Sequence, residues 1–273
     1  KYDFSVNVNP YRLPLKAAFS FFRSYASLKN YPDINSAELS AAVSEKYSIP
    51  EKNIIMGNGA SDIIFATVRA LAPKKALLLS PCFSGYIYAL KSLGTEIIYF
   101  PLKAAENFSL SAERFSELKK FIKNEKPDMF FLCNPNNPNG ILYSRDFITE
   151  LCDLCKTLGI FILLDECFME LSGKAKDYSL CSTFPSYDNL IIINALTKTY
   201  AVPGLRLGFG ICSSEKILSG IKRQMPEWNV SIPAQKVGKV LLQDVRYITS
   251  SVKKISKERK FLSDRISKLG LKV

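Results

Sequence analysis

Along the chain, short apolar runs alternate with longer stretches of helical periodicity. The runs are Ala76–Leu79, Glu96–Phe100, Met129–Cys133, Ile160–Leu164, Leu190–Ile193 and Leu207–Cys212. They are near-continuous rather than alternating, so both faces of each strand should be covered, as in a parallel sheet between two layers of helices. The predicted fold is therefore α/β, a mostly parallel sheet with helices on both faces. Residues 1 to about 30 read as an extended arm with a short amphipathic helix, and residues 36–47 as a helix. From Ala234 the pattern predicts one long helix interrupted near Asp244, with Val237, Val240, Leu241, Val245 and Ile248 on one stripe. There is no internal repeat and no low-complexity tract.

Ligands in open α/β sheets bind beyond the carboxyl ends of the strands. Asn137, Asp165 and Lys198 each stand just past an apolar run. The window from Ala195 to Gly210 places Lys198 on a turn, with Arg206 eight residues later and glycines around both. A lysine at the edge of an apolar site loses its proton at modest cost and can form an imine with an aldehyde such as that of pyridoxal phosphate (PLP). The arginine offers a planar donor fork to a phosphate. Taken alone, the window also reads as a surface turn beside a structural arginine.

Three further stretches bear on this. Gly57-Asn58-Gly59-Ala60-Ser61-Asp62 opens an apolar helical run, and a helix start presents N–H groups and a favourable dipole to an anion. Asn134-Pro135-Asn136-Asn137-Pro138-Asn139-Gly140 ends a strand sharply and holds amides at its carboxyl end. Asp165 closes a buried strand, where a carboxylate is costly unless it meets a cation; a protonated pyridine nitrogen would be one.

Composition narrows the alternatives. The chain has 273 residues, 47% hydrophobic and 23% charged, which are globular values. No apolar run approaches the roughly 20 residues of a membrane span. The net charge is +12, but the basic residues are spread over presumed helix faces, such as Lys119-Lys120, Lys253-Lys254 and Arg259-Lys260. That distribution reads as a solvated face that could steer an anionic substrate, with no nucleic-acid partner. Seven cysteines are scattered and there is no histidine, so no metal site is expected and a reducing cytoplasm is the natural compartment. Cys152 and Cys155 are spaced Cys-x-x-Cys but fall within a helical pattern.

On these motifs the chain resembles the fold-type I PLP-dependent enzymes of the class I/II aminotransferase superfamily. The resemblance runs from Asp3-Phe4-Ser5-Val6-Asn7-Val8-Asn9-Pro10 through Tyr31-Pro32-Asp33, the Gly57 turn, Pro81-Cys82-Phe83-Ser84-Gly85-Tyr86, the Asn134 loop, Asp165–Phe168 and Leu196–Gly208 to Met225–Ser231. Asp-Phe-Ser-x-Asn-x-Asn-Pro, Phe-Ser-x-Tyr and Pro-Gly-Leu-Arg-Leu-Gly lean toward the threonine-phosphate decarboxylases of cobalamin biosynthesis. Histidinol-phosphate or aromatic aminotransferases are the alternative, and a non-catalytic PLP-fold binding protein a more distant one. The resemblance implies a cofactor, PLP, with Lys198 carrying it and moving protons and Asp165 pairing with the pyridine N–H. It implies Asn137 on the phenolic oxygen, Phe83 stacked on the ring, and Ala60, Ser61, Thr197 and Arg206 on the phosphate. Tyr31 resembles a tyrosine that reaches the neighbouring subunit's cofactor, which implies a homodimer with shared sites acting on a small amino acid or amino-phosphate. Two positions depart from the common pattern: Phe168 replaces a frequent tyrosine, and Ala195 a frequent Ser or Thr. The family's division would be an arm over 1–32, a large domain over 33–232, and a connecting helix with the start of a small domain over 233–273. Its carboxylate-binding arginine has no counterpart before Val273, so the sequence reads as part of a longer protein.

Overall fold

The computed structural model describes residues 6–271, so Asp3, Phe4 and Ser5 of the N-terminal motif lie outside the described residues. Seven strands form one sheet: β1 (Ile54–Gly57), β2 (Lys75–Ser80), β3 (Glu96–Pro101), β4 (Met129–Cys133), β5 (Phe161–Asp165), β6 (Leu190–Ala195) and β7 (Gly208–Cys212). The helices are α1 (Leu15–Ser24), α2 (Ala37–Tyr47), α3 (Ala60–Leu71), α4 (Ser84–Lys91), α5 (Ala112–Glu125), α6 (Arg145–Thr157), the single turns α7 (Ala175–Tyr178) and α8 (Leu196–Thr199), α9 (Glu215–Lys222), α10 (Ile232–Leu242) and α11 (Val245–Ser267).

The strand order is β1-β7-β6-β5-β4-β2-β3. All neighbours pair in parallel except β7, which runs antiparallel to both β6 and β1. The central strands are buried at every position, so successive residues serve opposite cores. Leu190 and Ile192 join one cluster with residues of α2, α5, α6 and α10. Ile191 and Ile193 join the other with residues of α3, α4 and α9. Burial of each such side chain stabilises the fold by about 1.5–3 kcal/mol, which is why the apolar runs are uninterrupted.

The α/β architecture matches the sequence reading, with three differences. β1 is not anticipated, because a four-residue apolar segment ending at a glycine turn is too short to stand out. The antiparallel direction of β7 is also new, since an apolar run carries no sign of its direction. The stripe assigned from Val237 to Ile248 breaks at Val245, which is exposed. The Asp244 side chain accepts a hydrogen bond from the Tyr247 N–H at 3.1 Å and starts α11 afresh, shifting the phase of the apolar face.

Candidate active site

Register brings the candidate residues together. Cys133 stands opposite Asp165, and Asp165 opposite Ile193, so β4, β5 and β6 end in one row. Antiparallel β7 begins at that same edge, with Gly208 between Ala195 and Gly57. The segments just outside this row therefore share one rim: the Asn134 loop, the turn after Asp165, α8, the approach to β7 and the start of α3. One pocket there is lined by Ala60, Ser61, Phe83 and Asn137, and also by Asp165, Thr197, Lys198 and Arg206. Ala195 and Phe168, the two departures from the common pattern, line it as well.

Lys198 sits in the single turn α8, with Thr197 and Thr199 buried on either side. Its ammonium lies 5.9 Å from the centre of the Phe168 ring. The turn is tied down by Asn9, a residue the sequence reading quoted only as part of a motif. The Asn9 N–H donates to the Lys198 carbonyl at 3.1 Å. The Asn9 amide donates to the Thr199 carbonyl at 2.8 Å and to Ser251 Oγ, on α11, at 3.0 Å.

Asp165 is buried and held by two donors. Tyr86 Oη donates to its Oδ2 at 2.6 Å, and the Cys167 N–H to its Oδ1 at 2.9 Å. Burial and the adjacent carboxylate push the Tyr86 hydroxyl well above its ordinary range, so it stays a donor. Tyr86 is the main support that sequence reasoning missed. Its signal was available: a buried carboxylate needs donors, and Tyr86 follows Phe83 by three residues at the start of α4. The two rings meet edge to face at 5.4 Å. Glycine at position 85 leaves the Phe83 ring its place, since a Cβ there would lie 2.3 Å from Phe83 Cε1.

At the opposite end of the pocket, Gly59 adopts φ 84° and opens α3. A Cβ on Gly59 would lie 2.7 Å from Arg206 Nη2, so the guanidinium rests directly on the turn. The first N–H groups of a helix have no partner within it, and Arg206 adds a cation beside them. Asp62, in that same first turn, is occupied by the loop itself: its Oδ2 accepts from the Asn58 N–H at 2.9 Å and from the Asn229 amide at 3.0 Å. The Asn134 loop is braced from inside. Asn134 exchanges hydrogen bonds with the backbone of Tyr143, and the Asn136 amide donates to the Pro81 carbonyl, leaving Asn137 facing the pocket.

Tyr31 does not line this pocket. It is 78% exposed and packs on Trp228 with ring centres 4.6 Å apart.

Glu166, beside Asp165, is buried away from the pocket. It accepts from Ser179 Oγ at 2.5 Å and from the Leu180 N–H at 2.8 Å. Burial raises its pKa from 4.5 to about 7, with those hydrogen bonds opposing the rise. Between these values the folded protein keeps a proton that the unfolded chain has lost. The stabilisation from this group is therefore fully present below about pH 4.5 and is lost as pH rises toward 7, a fall of about 3 kcal/mol. Denaturant titrations at several pH values should show that fall flattened in Glu166→Gln; parallel pH profiles for the two proteins would refute the assignment.

The donor set fits PLP. A carboxylate backed by a phenol stands at one end, helix N–H groups and a guanidinium at the other, and a lysine between them. No helix is long and apolar enough to cross a membrane among the described residues, and the same residues contain no group of three or more His, Cys, Asp or Glu placed to hold a metal ion.

Comparison with known proteins gives the class. The model of the aminotransferase class I and II family matches residues 1–273, and the chain belongs to that family of PLP-dependent enzymes. It is 31% identical over 242 residues to a threonine-phosphate decarboxylase of Salmonella typhimurium, covering 89% of this chain and 65% of that protein. It is 33% identical over 247 residues to a histidinol-phosphate aminotransferase of Clostridium novyi, covering 89% and 66%. Thus the chain spans about two thirds of the length of these relatives. The crystal structure of the histidinol-phosphate aminotransferase from Clostridium acetobutylicum superposes with a TM-score of 0.88 at 29% identity, covering 98% of this chain and 77% of that one.

Proposed function

We propose that this chain carries the cofactor site of a decarboxylase that converts L-threonine O-3-phosphate to aminopropanol phosphate in cobalamin biosynthesis. The observation that carries the cofactor site is the convergence of Lys198, Asp165 and the Gly59–Ser61 turn with Arg206 on one pocket. When bound, PLP supplies an electron-withdrawing ring that stabilises negative charge at the substrate's Cα. Lys198 would hold the cofactor and deliver a proton to the Cα from which CO2 leaves. Asp165, fixed by Tyr86, holds a proton on the ring nitrogen. Asn137 donates to the phenolic oxygen, and Phe83 packs on the ring. Ala60 and Ser61, with Thr197 and Arg206, bind the phosphate.

Decarboxylation is supported by the 31% identity to the Salmonella decarboxylase and, through the resemblance, by the Phe-Ser-x-Tyr and Pro-Gly-Leu-Arg-Leu-Gly motifs and by Phe168, where the decarboxylase branch often carries phenylalanine. The 33% identity to the Clostridium novyi protein supports a second reading, amino transfer from histidinol phosphate or an aromatic amino acid. The test is product analysis. CO2 release from threonine phosphate without a keto acid supports the first reading; amino transfer that requires 2-oxoglutarate supports the second.

The protein would act in the cytoplasm as a homodimer. Leu15, Phe19, Phe22 and Tyr25 form an exposed stripe on α1 and the turn after it, near in sequence to exposed Tyr31. Tyr31→Phe should weaken PLP binding by roughly 0.5–3 kcal/mol. Hybrids of Tyr31→Phe with Lys198→Ala should contain one fully intact site if Tyr31 serves the partner's cofactor. A hybrid whose intact-lysine site keeps the weakened affinity would rule out the shared site, as would a monomer in sedimentation.

A further inference from the structure

We propose that Lys174 and Arg259 form an anion clamp that takes the phosphate monoester of the substrate. The inference rests on the reading above that the substrate is a phosphorylated amino compound, and it names residues for that group. A second cleft opens beside the cofactor pocket and shares two walls with it, Asn137 and Phe168. Its volume is about 380 Å³, and Lys174 and Arg259 supply its cations. Asn7 adds an amide, and among the described residues no Asp or Glu lines it. Among the described residues, neither cation has an ion-pair partner within 4 Å. An amino compound reaching toward Lys198 could therefore extend its other end into a cleft with two positive charges and no carboxylate.

The fold brings the two cations to this cleft. Lys174 follows Gly173, whose φ of 72° ends the short helix Glu170–Ser172 after β5. The Lys174 N–H donates to Ser172 Oγ at 3.0 Å, which sets the course of the chain there. Val252 of α11 packs against this turn so closely that a Cβ on Gly173 would lie 2.6 Å from Val252 Cγ1. Arg259 is seven residues beyond Val252 and Ile255 is three beyond it, so all three share one face of α11. Contact at Val252 thus carries Arg259 over the mouth of the cleft. The same helix holds the arm that contributes Asn7: Tyr247 Oη donates to the Tyr11 carbonyl at 3.3 Å, and the Lys254 ammonium lies 4.8 Å from the Tyr11 ring centre. Glu258 and Asp264 of α11 line the adjoining groove, which shares Asn7, Phe168, Leu171 and Arg259 with the cleft, but they do not line the cleft itself. Glu170 is engaged by Lys46 and Tyr47. A monoester phosphate carries close to two negative charges at neutral pH, which suits one ammonium and one guanidinium.

The test is equilibrium binding of O-phospho-L-threonine and of L-threonine, by calorimetry, to protein loaded with pyridoxine 5'-phosphate, which has no aldehyde and so cannot turn the ligand over. Lys174→Met and Arg259→Met remove charge while keeping length, and both sites are exposed, so folding should survive; retained PLP absorbance and melting temperature verify it. Each variant should bind phosphothreonine about 10-fold more weakly, and the double variant about 100-fold, with threonine binding unchanged. Arg259→Lys should recover part of the loss. Phosphothreonine binding that is unchanged in the variants would overturn the clamp. So would equal losses for both ligands, or an unsubstituted protein that does not distinguish them. Activity is judged separately. If the variants lose phosphate discrimination but the unsubstituted protein releases no CO2, the clamp stands and decarboxylation falls. If CO2 is released and the variants bind phosphothreonine normally, the opposite holds.

Discussion

Lys198→Ala is expected to abolish both covalent cofactor attachment and turnover. Reduction of the loaded protein with borohydride should fix the cofactor on the peptide containing Lys198, and the substituted protein should yield no adduct. Turnover should fall by at least 10²–10⁴, the usual contribution of a positioned proton-transfer group, and further because the covalent anchor is lost. A second lysine makes the experiment discriminating. Lys46 is half-buried, its pKa is lowered by burial, and its ammonium lies 3.0 Å from Tyr200 Oη and 3.5 Å from Glu170. A lowered pKa alone would nominate Lys46 as the nucleophile. Position argues for Lys198, because it lines the same pocket as Asp165 and Arg206 and Lys46 does not. An adduct on Lys46 would reverse the assignment.

Asp165→Asn should lower turnover by roughly 10² or more while leaving PLP bound through the contacts at the start of α3. On the proposed reading the carboxylate stands opposite a protonated ring nitrogen, and an amide cannot balance that charge. Tyr86→Phe supplies the graded comparison. It removes the 2.6 Å hydrogen bond to Asp165 but keeps the ring packed between Phe83 and Phe131. The expected loss is about tenfold, the worth of one hydrogen bond to a charged group. Near-normal turnover of the Asp165→Asn protein, with circular dichroism unchanged, would show that the carboxylate serves only the fold.

Much of this arrangement was legible before any coordinates. β4, β5 and β6 are apolar at nearly every position because both faces are covered, and Asn137, Asp165 and Lys198 are polar side chains at or just past their carboxyl ends. What escaped notice depends on contacts between distant residues. Tyr86 and Asp165 are 79 positions apart, and Asn9 and Thr199 are 190 apart; no local pattern joins either pair. β1 was missed because four residues hold too little periodicity. The exposure of Val245 was missed because the phase change at Asp244 depends on a single cap.

The insertion of β7 between β1 and β6 has a consequence for how the protein is made. Ile54 pairs with Ile211, so this edge of the sheet closes a loop of more than 150 residues. Until β7 arrives, β1 has no partner in the sheet and β6 lacks one of its two. Closing so long a loop is entropically costly and slow. On the ribosome, the end of the pocket made by the Gly59 turn and Arg206 cannot exist until Arg206 and Gly208 have emerged and β7 has docked, although the Asp165 end can already be in place. Acquisition of the cofactor is therefore a late event in the life of the nascent chain, set by one strand that runs against the rest.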